Sequence, residues 1–187
     1  MRVNVLMLDL TPNIIADFIR KIACLRLYWA WKRNGCPVPP PHLAKQNVIS
    51  EYRVMFNLEV LVETGTYEGE TIQSQLHNFK KIISIEVVDD LYRKALKRFK
   101  KHSHVKVYHG DSGEVLKAIT PELASPCLFW LDGHYSGGIT GRVVLDTPIK
   151  SELETIFNLK FPHVVLIDDA RCFNGENGYP TLSELGR

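Results

Sequence analysis

None of the four cysteines, Cys24, Cys36, Cys127 and Cys172, sits in a Cys-x-x-Cys pair or near a spaced pair of histidines. That excludes the common zinc frameworks and reads as four free thiols in a reducing, cytoplasmic setting. No dense basic tract with interleaved aromatics is present, so no nucleic-acid interface is expected. The formal charge is only +2, from 23 basic and 21 acidic residues, and selects no partner by sign. No apolar run is long enough to span a membrane: Arg20, Lys21 and Arg26 interrupt the stretch from Ile14 to Trp31. The same stretch lacks the run order and cleavage site of a signal peptide. Internal repeats, low-complexity tracts and the spacing G-x-G-x-x-G are absent as well.

What is there is ordinary in bulk. The 187 residues are 45% apolar and 24% charged, enough for one domain with a sizeable core. The apolar positions of 14–31 suit a long amphipathic helix. Such a helix packs on the domain, or offers Leu27, Tyr28, Trp29 and Trp31 to a membrane surface or to a second copy in a homodimer. The proline-rich "GCPVPPPHLAK" (Gly35–Lys45) then reads as a semi-rigid linker. Residues 1–45 are thus expected as helix plus linker, and 46–187 as the main domain.

Within that domain strand and helix patterns alternate. Strands are expected at "VLVET" (to Thr64), 81–87, 105–111, 127–134 and 163–171. Helices are expected at 68–79, 89–101, 113–119 and 148–157, the last with proline in its first turn. Strands apolar throughout imply burial on both faces. The alternation implies a doubly wound α/β domain with a mostly parallel, Rossmann-like sheet.

Ligands of such sheets bind at the carboxyl ends of the strands, where strand order reverses. Each strand end here carries an acidic residue: Glu63, Glu86, Asp111, Asp132, and Asp168 with Asp169. One could be a helix cap; five on one edge point to a site. The first loop, "VETGTYEGET" (Val62–Thr71), adds Gly65 and Gly69 before a helix start. A glycine lets backbone approach a ligand, and a helix N-terminus attracts an anionic group. Glu86 is placed for a ribose diol. The expected ligand is a nucleoside with an anionic arm.

Glu63-x-Gly65-x-x-x-Gly69, then Glu86, then Gly110-Asp111-Ser112, resembles the motif series of class I S-adenosylmethionine (SAM)-dependent methyltransferases. The resemblance covers Leu61 to Arg171. It implies that the first loop, with Glu63, Gly65, Thr66, Tyr67 and Gly69, holds the methionine part of SAM. It further implies that Glu86 takes the ribose hydroxyls and that Asp111 and Ser112 lie by the adenine. More narrowly, "FWLDGH" and "VLIDDAR" resemble the macrocin O-methyltransferase (TylF-like) group, which implies a divalent metal, Mg²⁺ first, on Asp132, Asp168 and Asp169. Asp132 and His134 are then the catalytic candidates, His134 as general base; Lys150 is a weaker one, and Arg171 is read as a structural pair. "HYSGGITGR" (His134–Arg142) is a candidate lid.

The family sheet continues past its fifth strand, whereas "YPTLSELGR" looks like the start of the next helix. Part of the fold is therefore expected to be missing. The expected activity is metal-assisted O-methylation of a small-molecule or sugar hydroxyl. A degraded nucleoside-binding partner module is the first alternative. An NAD-dependent oxidoreductase is the second, and the glycine spacing counts against it.

Overall fold

A computed structural model describes residues 12–133, 147–168, 170–175 and 179–185. The chain divides into two compact units, Met1–Val48 and Ile49–Arg187. The first holds helix α1 (Pro12–Arg33) and the start of α2 (His42–Met55). The segment read as a linker is irregular only as far as Pro41, because α2 begins directly after the prolines. Trp31 Nε1 donates to the Pro37 carbonyl at 2.7 Å, fastening the end of α1 to the turn that follows.

The second unit carries the sheet. Its strands are β1 (Val60–Thr64), β2 (Lys81–Glu86), β3 (Val105–His109), β4 (Cys127–Leu131) and β5 (Val164–Ile167). They are parallel and lie in the order β3-β2-β1-β4-β5. Between them run α3 (Glu70–Gln75), α4 (Asp89–Phe99), α5 (Ser112–Ile119) and α6 (Ile149–Phe157); α7 (Leu182–Leu185) follows β5. This is the doubly wound architecture the alternation implies.

Strand alternation sorts the core into two layers. Val62, Ile83, Ile85, Phe129 and Leu131 face α5 and α6, meeting Leu116, Ile119, Leu153 and Ile156. Leu61, Ile82, Leu128 and Trp130 face the other way, onto Ile49 of α2, Ile72 of α3 and Ala95 and Phe99 of α4. α4 buries its stripe of Leu91, Ala95 and Phe99, with Asp89 and Asp90 in its first turn and Lys97 and Arg98 in its last. Those charges complement the helix dipole.

Two expectations need correction. β3 and β5 are not buried on both faces; both are edge strands, β3 with Lys106 and His109 exposed and β5 only partly buried along its length. Lys106 and Lys81 converge on Glu122, which a charged edge uses to discourage pairing with another sheet. The helix expected over 68–79 spans only Glu70–Gln75, since Gly69 is left-handed (φ 73°) and a turn closes at Asn78.

Candidate functional site

In the observed order, β1 leads outward to β2 and β3, and the chain then returns to lay β4 on the other side of β1. The reversal therefore falls between the carboxyl ends of β1 and β4. The ladders run one residue past each strand: Gly65 N to Ile85 O, Asp132 N to Thr64 O, Gly110 N to Glu86 O and Asp168 N to Leu131 O, all at 2.9–3.1 Å. Gly65, Asp132, Asp168 and Gly110 are thereby brought to one edge.

Gly65 has φ 84°, and a Cβ there would lie 2.5 Å from the Asp132 carbonyl oxygen. Its bare backbone is thus demanded first by its neighbour across the reversal. Gly69 is demanded by packing: its Cβ would lie 2.7 Å from the Phe99 ring. Tyr67 between them is a non-glycine residue at φ 47°, with a half-exposed side chain. The Arg98 guanidinium donates to the Glu68 carbonyl and pins the same turn. α3 opens with Glu70, so the helix end expected to attract an anion already carries a carboxylate.

Glu63 does not project into solvent. It is 2% exposed, and Ser84, opposite it in β2, donates to its carboxyl at 2.6 Å. The Thr66 hydroxyl lies 2.6 Å from Ser84 and extends the chain. Burial pushes the Glu63 carboxyl up to about 8; hydrogen bonds from Ser84 and Thr71 oppose this, and the charges of Asp132 and Glu86 add to it. At neutral pH it is therefore mostly uncharged.

Glu86 closes the tip of β2. It is buried and accepts from the backbone amides of Tyr67 (2.8 Å) and Val88 (2.9 Å). It thus clamps the first loop to the end of β2. A carboxylate has about four lone-pair sites, so two amides leave acceptor capacity for hydroxyls. Beyond β3, Asp111 caps α5, accepting from Glu114 N at 3.2 Å. Ser112 is buried, and its hydroxyl donates to Glu152 of α6.

That last contact is one the sequence reading missed. Glu152 is 1% exposed and sits over the β1–β4 end on the face opposite Glu63. Burial pushes its carboxyl up to about 7 against the hydrogen bond from Ser112. The Thr64 hydroxyl is buried beside it without a hydrogen bond of good geometry. Gly133 completes the fit, since a Cβ there would press on Thr64 at 3.1 Å and on Glu152 at 3.3 Å. Glu152 lines a small pocket with Asp168, Thr147, Phe173 and Tyr179. The signal was legible: Ile149, Glu152, Leu153 and Ile156 form one helical stripe, and a carboxylate within a buried stripe asks for a reason. Ser84 in the apolar strand "KIISIE" is a second such signal.

β4 and β5 are neighbours in register, Leu131 opposite Ile167, so Asp132 and Asp168 leave the sheet side by side. Both already interact with other groups of the protein. Among the described residues, no three His, Cys, Asp or Glu side chains are gathered as a metal site requires. Two oxygen donors at adjoining strand ends fit the chemistry of Mg²⁺ but do not complete its shell. Asp169 and His134 lie outside the described residues, as does the candidate lid of residues 134–142. Lys150 is exposed on α6, and Arg171 is exposed and engaged within the protein. Cys24, Cys36 and Cys127 are free thiols, and burial pushes that of Cys127 up to about 12.

No protein-family model matches the chain, and no curated protein matches its sequence. Solved structures do. An O-methyltransferase from Bacillus cereus in complex with SAH (S-adenosylhomocysteine) aligns with TM-score 0.57 at 13% identity, over 89% of this chain and 70% of that one. The O-methyltransferase TomG from Streptomyces achromogenes, in complex with SAM, aligns with TM-score 0.56 at 13% identity, over 79% of this chain. This chain spans 65% of TomG's length. The SAH-bound methyltransferase PaMTH1 of Podospora anserina aligns with TM-score 0.53 at 17% identity, over 86% and 71% of the two chains. At such identities the likeness is one of architecture, and what the chain has is a Rossmann-like methyltransferase fold.

Proposed function

We propose that the chain is a SAM-dependent methyltransferase that methylates a hydroxyl of a small molecule or sugar. The observation that carries this reading is Glu86. A buried carboxylate at the tip of β2 grips the loop after β1, beside the reversal between β1 and β4. That is where a nucleoside's ribose would meet two acceptor oxygens in a water-poor setting. The folds of TomG and the Bacillus cereus enzyme, solved with SAM and SAH, support the same ligand.

In this reading Glu86 holds the ribose hydroxyls and the turn of Gly65, Thr66, Tyr67 and Gly69 lies along the methionine arm. Asp111 and Ser112 flank the adenine. Glu63 and Glu152, both pushed up by burial, fix the two sides of the crevice while adding less charge to it than free carboxylates would. SAM would supply an electrophilic methyl group on a sulfonium sulfur. The acceptor hydroxyl would be held toward that methyl group, and His134 would take its proton. Asp132, Asp168 and Asp169 would hold a divalent cation, which would polarise the acceptor hydroxyl and lower its pKa.

The division of roles is testable by titrating variants with S-adenosylhomocysteine and Mg²⁺. Glu86→Ala is expected to lose the nucleoside and keep the Mg²⁺ response. Asp168→Ala is expected to do the reverse. Loss of both ligands in both folded variants would overturn the assignment.

A further inference from the structure

The buried stripe of α6 carries one residue that its apolar neighbours do not explain. Ile149, Leu153 and Ile156 fill the core, and a fourth aliphatic side chain at position 152 would complete it. Glu152 stands there instead, almost fully buried, where a carboxyl is costly unless its hydrogen bonds have a use. Its partner is Ser112, whose hydroxyl donates to Glu152 Oε1. Thr64, sealed beside it, makes no hydrogen bond of good geometry, so Ser112 is the group that Glu152 serves.

The surroundings of that contact hold Ser112 in place, all within the second unit. The start of α5 lies against α6: Ser151 Oγ is 3.5 Å from the Gly113 carbonyl oxygen, and a Cβ on Gly113 would lie 2.8 Å from that same hydroxyl. Asp111 caps the turn. Gly110 N donates to Glu86 O at 2.9 Å, so the turn lies one strand away from the Glu86 carboxyl. A nucleoside with its ribose hydroxyls on Glu86 and its methionine arm along the β1 loop turns its base toward Asp111 and Ser112.

The polarity of this turn follows from Glu152. A hydroxyl has one proton and two acceptor lone pairs. Ser112 commits its proton to Glu152 Oε1, and a carboxyl keeps one acceptor oxygen even when the other holds a proton. What Ser112 has left to present is an acceptor. Asp111 presents acceptors as well, since one amide occupies only part of its carboxylate. Ser112 is 7% exposed against 1% for Glu152, so of the pair it is the one a ligand reaches. Two neighbouring acceptors fit a base edge that carries an N–H donor, as the exocyclic amine of a 6-aminopurine does. A 6-oxopurine would set a carbonyl against them and leave buried lone pairs unpaired, the situation in which discrimination is strong.

We propose that Glu152 is a positioning residue that acts through Ser112 to select a 6-aminopurine nucleoside over its 6-oxo counterpart. This rests on the crevice being a SAM site. The test is calorimetric titration of the full chain with SAH and with its 6-oxo analogue, S-inosylhomocysteine. SAH is expected to bind at least about tenfold tighter. Ser112→Ala should bring the ratio toward one. Glu152→Leu should do the same, because it frees the Ser112 proton to donate to a 6-oxo group. The two together should change the ratio no further than either alone. Glu152→Gln, whose side-chain carbonyl can still accept from Ser112, should keep the preference. A residue that only props the fold would weaken both ligands alike, so an unaltered ratio in folded Ser112→Ala or folded Glu152→Leu overturns the proposal. Equal binding of the two ligands by the unaltered chain overturns it too. A folded chain that takes up neither ligand overturns the SAM assignment and this proposal with it.

Discussion

Replacing Glu63 with Gln should change the pH dependence of stability more than stability itself. The carboxyl titrates at about 8 in the folded chain against an ordinary 4.5, chiefly because it is buried. Between those values the folded state keeps a proton that the unfolded state has lost. Stability from this group is therefore complete below pH 4.5 and falls as pH rises toward 8. At about 1.36 kcal/mol per unit, the whole window amounts to at most roughly 5 kcal/mol. Gln retains a carbonyl to accept from Ser84 and cannot ionise. Urea unfolding at pH 5 and pH 8 measures the difference. The two proteins should be nearly equal at pH 5, with the Gln variant ahead by about 3–5 kcal/mol at pH 8. Other titrating groups cancel in the comparison. Stability curves that run parallel across the window would refute the buried, neutral carboxyl.

Glu152→Gln should remove a second, narrower slope of the same sign, between the ordinary 4.5 and about 7, in the same unfolding series. Gly65→Ala should cost at least about 3 kcal/mol in chemical denaturation, from the left-handed backbone and from the displaced Asp132 carbonyl. Phe129→Ala, at the centre of the α5–α6 face and fully buried, should cost about 3–5 kcal/mol.

The sheet was legible because its strands are short apolar runs punctuated by acidic and glycine residues, a pattern little else produces. Five strand ends bearing carboxylates were legible for the same reason, and the observed order sets Asp132 beside Asp168 as expected. Orientation was not. Glu63 and Glu86 look alike in sequence, yet one is sealed against Ser84 while the other clamps Tyr67 and Val88. Sequence cannot say which neighbour a side chain meets across a parallel ladder. In sequence Gly65 looks like room for a ligand, whereas the Asp132 carbonyl sets the nearer demand. α2 escaped notice because the prolines before it dominate the local signal and, of its side chains, Ile49 is the one fully buried. Glu152 reaches the crevice from a helix, α6, and so carries none of the strand-end signal that marks the other carboxylates.

The most direct measurement is calorimetric titration of the purified chain with S-adenosylhomocysteine, with and without Mg²⁺. The account predicts saturable one-to-one binding at about micromolar strength, or roughly −8 kcal/mol, strengthened or accompanied by a Mg²⁺ response. A chain shown to be folded that takes up no S-adenosylhomocysteine would contradict it, and would leave the Glu86 clamp as an element of architecture alone.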